Sequence, residues 1–530
     1  MSQIDTALQR ASGRGAGLVA RCLAPAALAA IVASGGAATT LASVGTHAAE
    51  PIDPAVALAA AAAVPAAAPR PNIVMIMIDD ANPHDGRLWS ESYMPRLDEL
   101  IVSQGIRFTD FHAEVPLCGP SRANLLTGQH THNSGAGSNN GQALDPSTTI
   151  ATELNEAGYH AAYVGKYLNG YRKFSPDRYD PPGWSRFDVI NSNQGKYFWY
   201  QIRDRDGNIS QHKTEADDYS TDVIADIAVE RIREAPDDRP LFALIAPYAP
   251  HQPNLPAPRH EGDERCADIE AWAPPNYDES DVADKPDYIR DAKPLGDGGF
   301  DLTAHCESLL SVDELIGRVG DELERQGRLD DTVFVFIADN GMTWGEHRRV
   351  GKVSPYATAM PAYAAWPAGR GIEPRDAATT LSMIDLAPTF CELGGCEMGP
   401  YPNGQLAADG LSFASLLSNE PLAYERDSVL HAMPTGGDRP VWWSVRTTAD
   451  HPQGRWHYIE NRDGFRELYD ISGGLCSEWS DGAEGDPCEM TNLLAGDADP
   501  EIEALTETLA AELAELKVEV APEPIPKPEG

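Results

Sequence analysis

The chain is poor in positive charge. Its 530 residues carry 41 lysines and arginines against 81 aspartates and glutamates, a formal charge of −40. That balance excludes a nucleic-acid partner, because phosphate backbones are held by basic surfaces. An anionic substrate would need a local basic island on an acidic protein. Long apolar runs are equally scarce. The stretch Cys22 to Ala49 lacks Asp, Glu, Lys and Arg and is long enough to span a bilayer, but Ala, Gly and Thr make it weakly apolar. The eight cysteines contain no Cys-x-x-Cys pair, which argues against a structural zinc framework. What is present, 42% hydrophobic and 23% charged residues, is ordinary globular composition and excludes a multi-pass membrane protein. The length suits one large enzyme domain with a smaller one, or three ordinary domains.

Residues 1–70 hold 25 alanines. Arg10, Arg14 and Arg21 precede the apolar run, and small residues close it near Ala48-Ala49. A basic start, an apolar run and a small-residue end resemble a secretory signal, with an uncleaved anchor as the alternative. Glu50 to Pro71, with five prolines, reads as a linker. Beyond Cys22 and Cys118, six cysteines remain, and an even remainder in an exported chain suggests disulfides. Favouring short loops pairs Cys391 with Cys396 and Cys476 with Cys488, leaving Cys266 with Cys306.

Several short apolar runs stop at polar residues. Ile73 to Ile78 runs into Asp79-Asp80, and Thr332 to Ala338 into Asp339-Asn340. Leu241 to Ala246 is followed by Pro250-His251, and Ala161 to Val164 leads to Gly165-Lys166. Continuous β-branched and aromatic runs predict strands buried on both faces. Helical patterns alternate with them at Met94 to Gln104, Thr149 to Ala157, Thr221 to Glu234 and Ser308 to Gln326. The alternation predicts an α/β fold with a largely parallel sheet between helices. Ligands of such sheets bind beyond the carboxyl ends of the strands. Two strands would deliver Asp79, Asp80, Asp339 and Asn340 there, an all-oxygen set suited to Ca²⁺ or Mg²⁺. Either pair alone could equally cap a helix or turn.

Residues 118–128 read CGPSRANLLTG. Pro120 suits the first turn of a helix, which places Cys118 just before it, where free N–H groups favour negative charge. Read alone, this is a reactive thiol, an anion site or a buried cysteine before a core helix.

Here the chain resembles the sulfatase family of the alkaline-phosphatase-like superfamily. The family signature is Cys, any residue, Pro-Ser-Arg, three further residues, an aliphatic residue and Thr-Gly, and the chain matches it from Cys118 to Gly128. The likeness extends through NIVMIMIDD, the PHQP segment at 250–253, VFIADNG at 335–341, MIDLAPTF at 383–390 and RELYD at 466–470. GQHTHNSGAGSNN (128–140), GKYLNG (165–170) and SLLSVDELIG (308–317) look most like the N-acetylglucosamine-6-sulfatase branch. The resemblance implies that Cys118 is converted to formylglycine by a formylglycine-generating enzyme. One oxygen of the hydrated aldehyde would attack sulfur, and the other would later expel sulfate, splitting one hard step in two. It also implies Ca²⁺, with Mg²⁺ as the alternative, held by Asp79, Asp80, Asp339, Asn340 and residue 118. Arg122 would bond the nucleophile, Lys166 and Lys352 would hold sulfate, and His251 would protonate the leaving oxygen. In one respect the chain departs from the pattern. Many sulfatases carry a histidine two residues after the lysine matched by Lys166, where this chain has Leu168 and then Asn169. The base for sulfate release would then be His347, or less readily His132, with Asn169 as a group positioning water or substrate.

The expected organisation is a leader over 1–49, a linker over 50–70, a catalytic domain over 71–420, a C-terminal α+β subdomain with an antiparallel sheet over 421–520, and a disordered tail over 521–530. Val441 to Thr447, Trp456 to Glu460 and Arg466 to Ile471 predict strands of that sheet, and Glu501 to Lys517 an amphipathic helix. Residues 261–301, with 13 acidic and four basic residues, read as an irregular insertion, solvated or bordering the substrate cleft. The expected activity is hydrolysis of a small sulfate ester or sulfated glycan outside the cytoplasm. Phosphonate monoester or phosphodiester hydrolysis, and a silent sulfate- or glycan-binding homologue, are the alternatives.

Overall fold

Two seven-residue apolar segments with no exposed side chain lie side by side at the centre of the molecule. In the computed structural model the described residues are 70–517, apart from 84–85, 172–179, 192–195, 367–371, 403, 405–407, 436–438, 481–482 and 497–498. The leader, most of the linker and the tail lie outside them. In chain order the strands of the main sheet are β1 (Asn72–Ile78), β2 (Ile106–Phe108), β3 (His160–Gly165), β4 (Arg186–Ile190), β5 (Tyr200–Arg203), β6 (Ile209–His212), β7 (Leu241–Ala246), β8 (Thr332–Ala338), β9 (Ala362–Ala365) and β10 (Arg375–Ala377). Their order across the sheet is β10-β2-β9-β8-β1-β7-β3-β4-β5-β6. The five inner strands from β8 to β4 are mutually parallel, and β9 and β5 flank them antiparallel. β1, β3, β7 and β8 are buried along their whole length, as their unbroken apolar runs require.

The longer helices among the described residues are α1 (Cys118–Thr127), α2 (Ile150–Glu156), α3 (Ser220–Arg233), α4 (Thr303–Arg325), α5 (Leu386–Gly394) and α6 (Pro500–Leu516). α3 packs on α4, and α2 on α5. Among the described residues no helix is long and apolar enough to cross a membrane. The helix expected from Met94 to Gln104 is only a short α-turn, Pro95–Leu97, followed by a wider π-turn, Asp98–Val102. Ser103 causes the widening: its N–H and its hydroxyl both donate to the Asp98 carbonyl five residues back, at 2.9 and 2.8 Å. Cys118, expected just before α1, is its first residue, with Leu117 as the extended N-cap.

Strands β11 (Ser428–Met433), β12 (Trp442–Thr447), β13 (Trp456–Asn461) and β14 (Arg466–Asp470) form the expected antiparallel sheet. Alternation splits its side chains between two cores. Leu430, Val445, Tyr458 and Leu468 pack on Leu509 and Leu513 of α6. Met433, Trp442, Ile459 and Tyr469 pack on Val115 and Leu117, the residues that lead into Cys118. The described residues belong to one compact unit.

Among the described residues the disulfides are Cys266–Cys306, Cys391–Cys396 and Cys476–Cys488, as short-loop pairing suggested. The acidic insertion is irregular but is not simply solvated. Asn276, Glu279 and Lys285 are buried in it. Asn276 Nδ2 donates to the Cys488 carbonyl at 3.0 Å and Lys285 Nζ to the Met490 carbonyl at 2.7 Å, which ties the insertion to the C-terminal part.

Candidate active site

Four adjacent parallel strands end in step. Ile78 pairs with Ala338, and Gly165 with Ala246. The Asp339 N–H donates to the Ile78 carbonyl at 2.8 Å, and the Lys166 N–H to the Ala246 carbonyl at 2.8 Å. β1 therefore delivers Asp79 and Asp80, β8 delivers Asp339 and Asn340, β3 delivers Lys166, and the loop after β7 carries His251. Gly165 makes the last rung possible. Its φ is +113°, and a Cβ there would lie 2.1 Å from the Ala246 oxygen. Asp80, at φ 65°, holds a left-handed conformation that costs a non-glycine residue energy, and such strain gathers at functional sites.

Cys118 enters from the start of α1, 1% exposed. Its Sγ lies 3.5 Å from Asp79 Oδ1, 3.6 Å from Asp80 Oδ1 and 2.9 Å from Lys352 Nζ. Asn139 Oδ1 accepts the Gly119 N–H at 2.8 Å and so occupies one donor at the helix start. One turn on, Arg122 Nε donates to Asp339 Oδ2 at 2.8 Å, and its Nη1 donates to the Lys166 carbonyl at 2.5 Å.

Three carboxylates thus face three fixed cations. Lys166 pairs with Asp79, Lys352 with Asp80 and Arg122 with Asp339. Burial alone would raise the carboxyls of Asp79 and Asp80. Lys166 and His251 beside the first, and Lys352 beside the second, outweigh it and hold both below the ordinary aspartate range. Burial, with the Asp339 charge, pushes the Cys118 thiol up to about 12, so it is protonated at neutral pH and a weak nucleophile as encoded.

The oxygens of Asp79, Asp80, Asp339 and Asn340 suit a hard cation. Asp79, Asp80, Cys118 and His251 offer ligand atoms within 4.8 Å of one another. Asn340 Nδ2 donates to Asp80 Oδ1 at 3.0 Å, while its Oδ1 is buried without a protein partner. A buried carbonyl oxygen left without a donor is costly unless a cation or water meets it. Asp339 turns one oxygen to Arg122 and accepts the Asp80 N–H on the other at 3.0 Å.

The remaining expected residues divide. His251 lies at the site, its Nε2 3.5 Å from Asp80 Oδ2. Leu168 and Asn169 come two and three residues after Lys166; Leu168 is buried, and Asn169 Oδ1 is buried without a partner. His347 gives no support to the role expected of it. It is wholly buried, with Nδ1 2.6 Å from Glu279 Oε2, Nε2 3.4 Å from Asn276 Nδ2 and its ring 4.2 Å from Tyr356. Both nitrogens are committed to the insertion, because positive φ at His347 and Arg348 turns the chain there before it returns to Lys352. His132 lines a separate cavity with Trp443 and Lys517. Sequence reasoning missed Lys196, whose Nζ lies 2.6 Å from His251 Nδ1. It ends no strand run and belongs to no motif, so no pattern marked it. Burial lowers its ammonium below the usual lysine range.

A mostly parallel sheet with carboxylates, cations and a helix-start residue at its carboxyl edge defines the alkaline-phosphatase-like class. The sulfatase family model matches residues 71–396, and the chain belongs to the sulfatase family. It is 33% identical over 483 residues to an arylsulfatase of Volvox carteri, covering 79% of this chain and 73% of that one. It is 29% identical over 387 residues to the N-acetylglucosamine-6-sulfatase of Homo sapiens, covering 68% and 67%. It is 30% identical over 355 residues to the extracellular sulfatase SULF-1 homolog of Drosophila melanogaster, covering 63% of this chain and spanning only 31% of that protein's length. In fold it is similar to a solved complex of a protein with its substrate, D-glucosamine-2-N,6-O-disulfate, at a TM-score of 0.64, 23% identity and coverage of 84% and 97%. A phosphonate monoester hydrolase from Silicibacter pomeroyi gives a TM-score of 0.62 at 21% identity, with coverage of 85% and 96%.

Proposed function

We propose that the protein hydrolyses sulfate monoesters with residue 118 as nucleophile, after Cys118 has been converted to formylglycine. The contact of Cys118 with Lys352 and with the Asp79-Asp80 carboxylates carries this reading, because it puts residue 118 where cations and a metal-type oxygen cluster converge. Asp79, Asp80, Asp339, Asn340 and residue 118 would hold a divalent cation, Ca²⁺ before Mg²⁺. Bound there, the cation supplies Lewis-acid polarisation of a sulfate oxygen. The hydrated aldehyde supplies one oxygen for attack on sulfur and a second whose deprotonation releases sulfate.

The chain's own residues do the rest. Lys166 and Lys352 hold the sulfate and neutralise its developing charge in a pocket that burial keeps at low dielectric. Arg122, locked by Asp339 and the Lys166 carbonyl, keeps a buried Nη2 without a protein partner, available to the nucleophile's oxygen. His251 faces the site through Nε2 and serves the leaving oxygen. With Leu168 apolar and His347 engaged elsewhere, His251 is also the imidazole placed to take a proton back for sulfate release, with Asn169 positioning water or substrate.

The substrate class we infer is a sulfated amino sugar of the 6-sulfate type, with aryl sulfates as activated surrogates. The named relatives and the local branch segments support it. Export through the N-terminal leader is supported by three disulfides, which persist in oxidising compartments. The decisive experiment is intact-peptide mass spectrometry across residue 118 on active protein from a host that makes formylglycine. A formylglycine mass, and loss of turnover in Cys118→Ala with the fold retained, are expected. A fully active preparation still carrying the thiol overturns the reading. Turnover of phosphonate monoesters or phosphodiesters above sulfate esters would move the assignment to that chemistry.

A further inference from the structure

We infer that Asn254 is a positioning residue for His251: its amide closes the loop that carries the imidazole and fastens that loop to His305 of α4. The inference rests on the role given to His251 above. The loop leaves β7 after Ala246, so the sheet ladder no longer sets the direction of His251. Asn254 takes over. Its N–H donates to the His251 carbonyl at 3.2 Å, which turns the chain back within four residues. Its Nδ2 donates to the Pro250 carbonyl and lies 3.2 Å from His305 Nε2. A carbonyl oxygen only accepts, so the amide nitrogen, not the amide oxygen, faces Pro250. That nitrogen has two N–H groups, and the second is left for the imidazole. Burial lowers the His305 pKa to about 4, so the ring is neutral and carries a lone pair to receive it. The backbone makes a separate demand. Asn254 holds φ 57°, a left-handed conformation in which asparagine is enriched among non-glycine residues. Glycine would suit that backbone and aspartate that shape, but only asparagine also donates.

The anchor at the far end is itself fixed. His305 is 2% exposed, and its ring meets Phe300 and Trp344 edge-on at 5.5 and 5.1 Å between centroids. The next residue, Cys306, is bridged to Cys266. Trp344 lies in a short antiparallel pair, Thr343–Trp344 with Val350–Gly351, that leads directly to Lys352. The loop of the proposed acid and the hairpin before the sulfate-holding lysine therefore rest on one imidazole. On the other side of the loop, Tyr197 donates its hydroxyl to the His251 carbonyl at 2.5 Å. The backbone of His251 is thus bracketed, with Asn254 bonded to the carbonyls of residues 250 and 251 and Tyr197 to the second of these.

Loosening this loop should damage protonation of the leaving oxygen and spare binding of the sulfate. The test uses full-length, formylglycine-bearing, metal-loaded protein and two substrates. N-acetylglucosamine 6-sulfate has a poor leaving group, and 4-nitrophenyl sulfate an activated one. Asn254→Gly keeps the left-handed backbone and removes the amide. It is expected to lower kcat on the sugar sulfate by about 10- to 50-fold, and on the aryl sulfate by less than about 3-fold, with KM little changed. His305→Leu should reproduce that split with residue 254 intact. His305→Gln, whose side-chain oxygen can stand in for the accepting Nε2, should recover most of the loss. Asn254→Gly and His305→Leu together should be no slower than the worse of the two alone, because they break one contact from its two ends. His251→Ala is the reference for the preference between leaving groups. Parent-like turnover of the sugar sulfate by Asn254→Gly, equal losses on both substrates, or no recovery in His305→Gln overturns the inference while leaving His251 in its role. If His251→Ala itself shows no preference between leaving groups, the role of His251 fails and this inference falls with it. Should Asn254→Gly not fold, the two His305 variants decide by the same criteria.

Discussion

Asp79 and Asp339 leave two parallel strands at the same level, because Ile78 and Ala338 face each other at the last rung. Neither aspartate has another strand beyond it, so both carboxylates converge beyond the sheet edge and meet Lys166, whose Nζ lies 3.7 Å from Asp339 Oδ2.

Asp339→Asn tests the metal assignment. Metal affinity should fall by at least about 100-fold, measured as calcium content after equilibrium dialysis rather than as turnover. The variant also leaves Arg122 buried without its partner, so a loss of about 3–5 kcal/mol in the metal-free protein is expected from denaturant melts. Unchanged calcium occupancy would remove Asp339 from the ligand set.

His347→Ala separates packing from chemistry. Removing an imidazole bonded to Glu279 and Asn276 leaves buried polar groups without partners and should cost about 1–3 kcal/mol. Turnover below the melting range should stay within about tenfold for sugar and aryl sulfates alike. A selective block of sulfate release, seen as accumulation of sulfated enzyme, would restore His347 as the base.

His431 predicts an acid-side weakness. Both its ring nitrogens are buried without a partner, its ring lies 4.9 Å from that of His112 and 6.1 Å from that of His457, and burial holds its pKa well below 6.5. In the unfolded chain the same ring takes up a proton near pH 6.5. The unfolded state therefore binds more protons below that pH, and stability present above it is lost as pH falls, at about 1.4 kcal/mol per unit from this residue. His431→Leu should flatten the drop in melting temperature between pH 7 and 5.5 (roughly the upper part of that window). A drop as steep as in the parent protein would refute the assignment.

Trp442 couples the C-terminal sheet to the site. It is buried against Val115 and Leu117, and its Nε1 donates to the Val353 carbonyl at 2.9 Å, next to Lys352. Trp442→Phe should cost about 1 kcal/mol, mainly through the lost hydrogen bond, and raise KM for the sulfate ester. Trp442→Ala should cost about 3–5 kcal/mol. Melting curves and KM for the two variants decide it; no change in KM for either would uncouple the sheet from Lys352.

The parts of this architecture legible in the sequence are those where one physical pattern dominates. Ile73 to Ile78 and Thr332 to Ala338 are apolar without interruption because both faces of their strands are covered, and a carboxylate directly after such a run can only stand at the sheet edge. The motif from Cys118 to Gly128 was legible because its residues are contiguous. Lys196 was not, since its partner His251 is distant in sequence and the contact arises only from the path of the segment that leads into β5. His347 was expected at the site for the converse reason. Lying between Asp339 and Lys352 in sequence implied nearness in space, but the intervening turn sends its ring into the insertion. The widened turn at Asp98 depended on one serine hydroxyl, which periodicity does not register.

The depth at which residue 118 lies also orders events in time. At 1% exposure, under Lys352 and behind the two carboxylates, its side chain is beyond the reach of any macromolecular modifier once the sheet has closed. If conversion to formylglycine takes place as proposed, it must precede closure. A chain that folds first is then shut out of maturation, and the proportion of working enzyme is set by a race between folding and the modifier rather than by the affinity of the finished pocket.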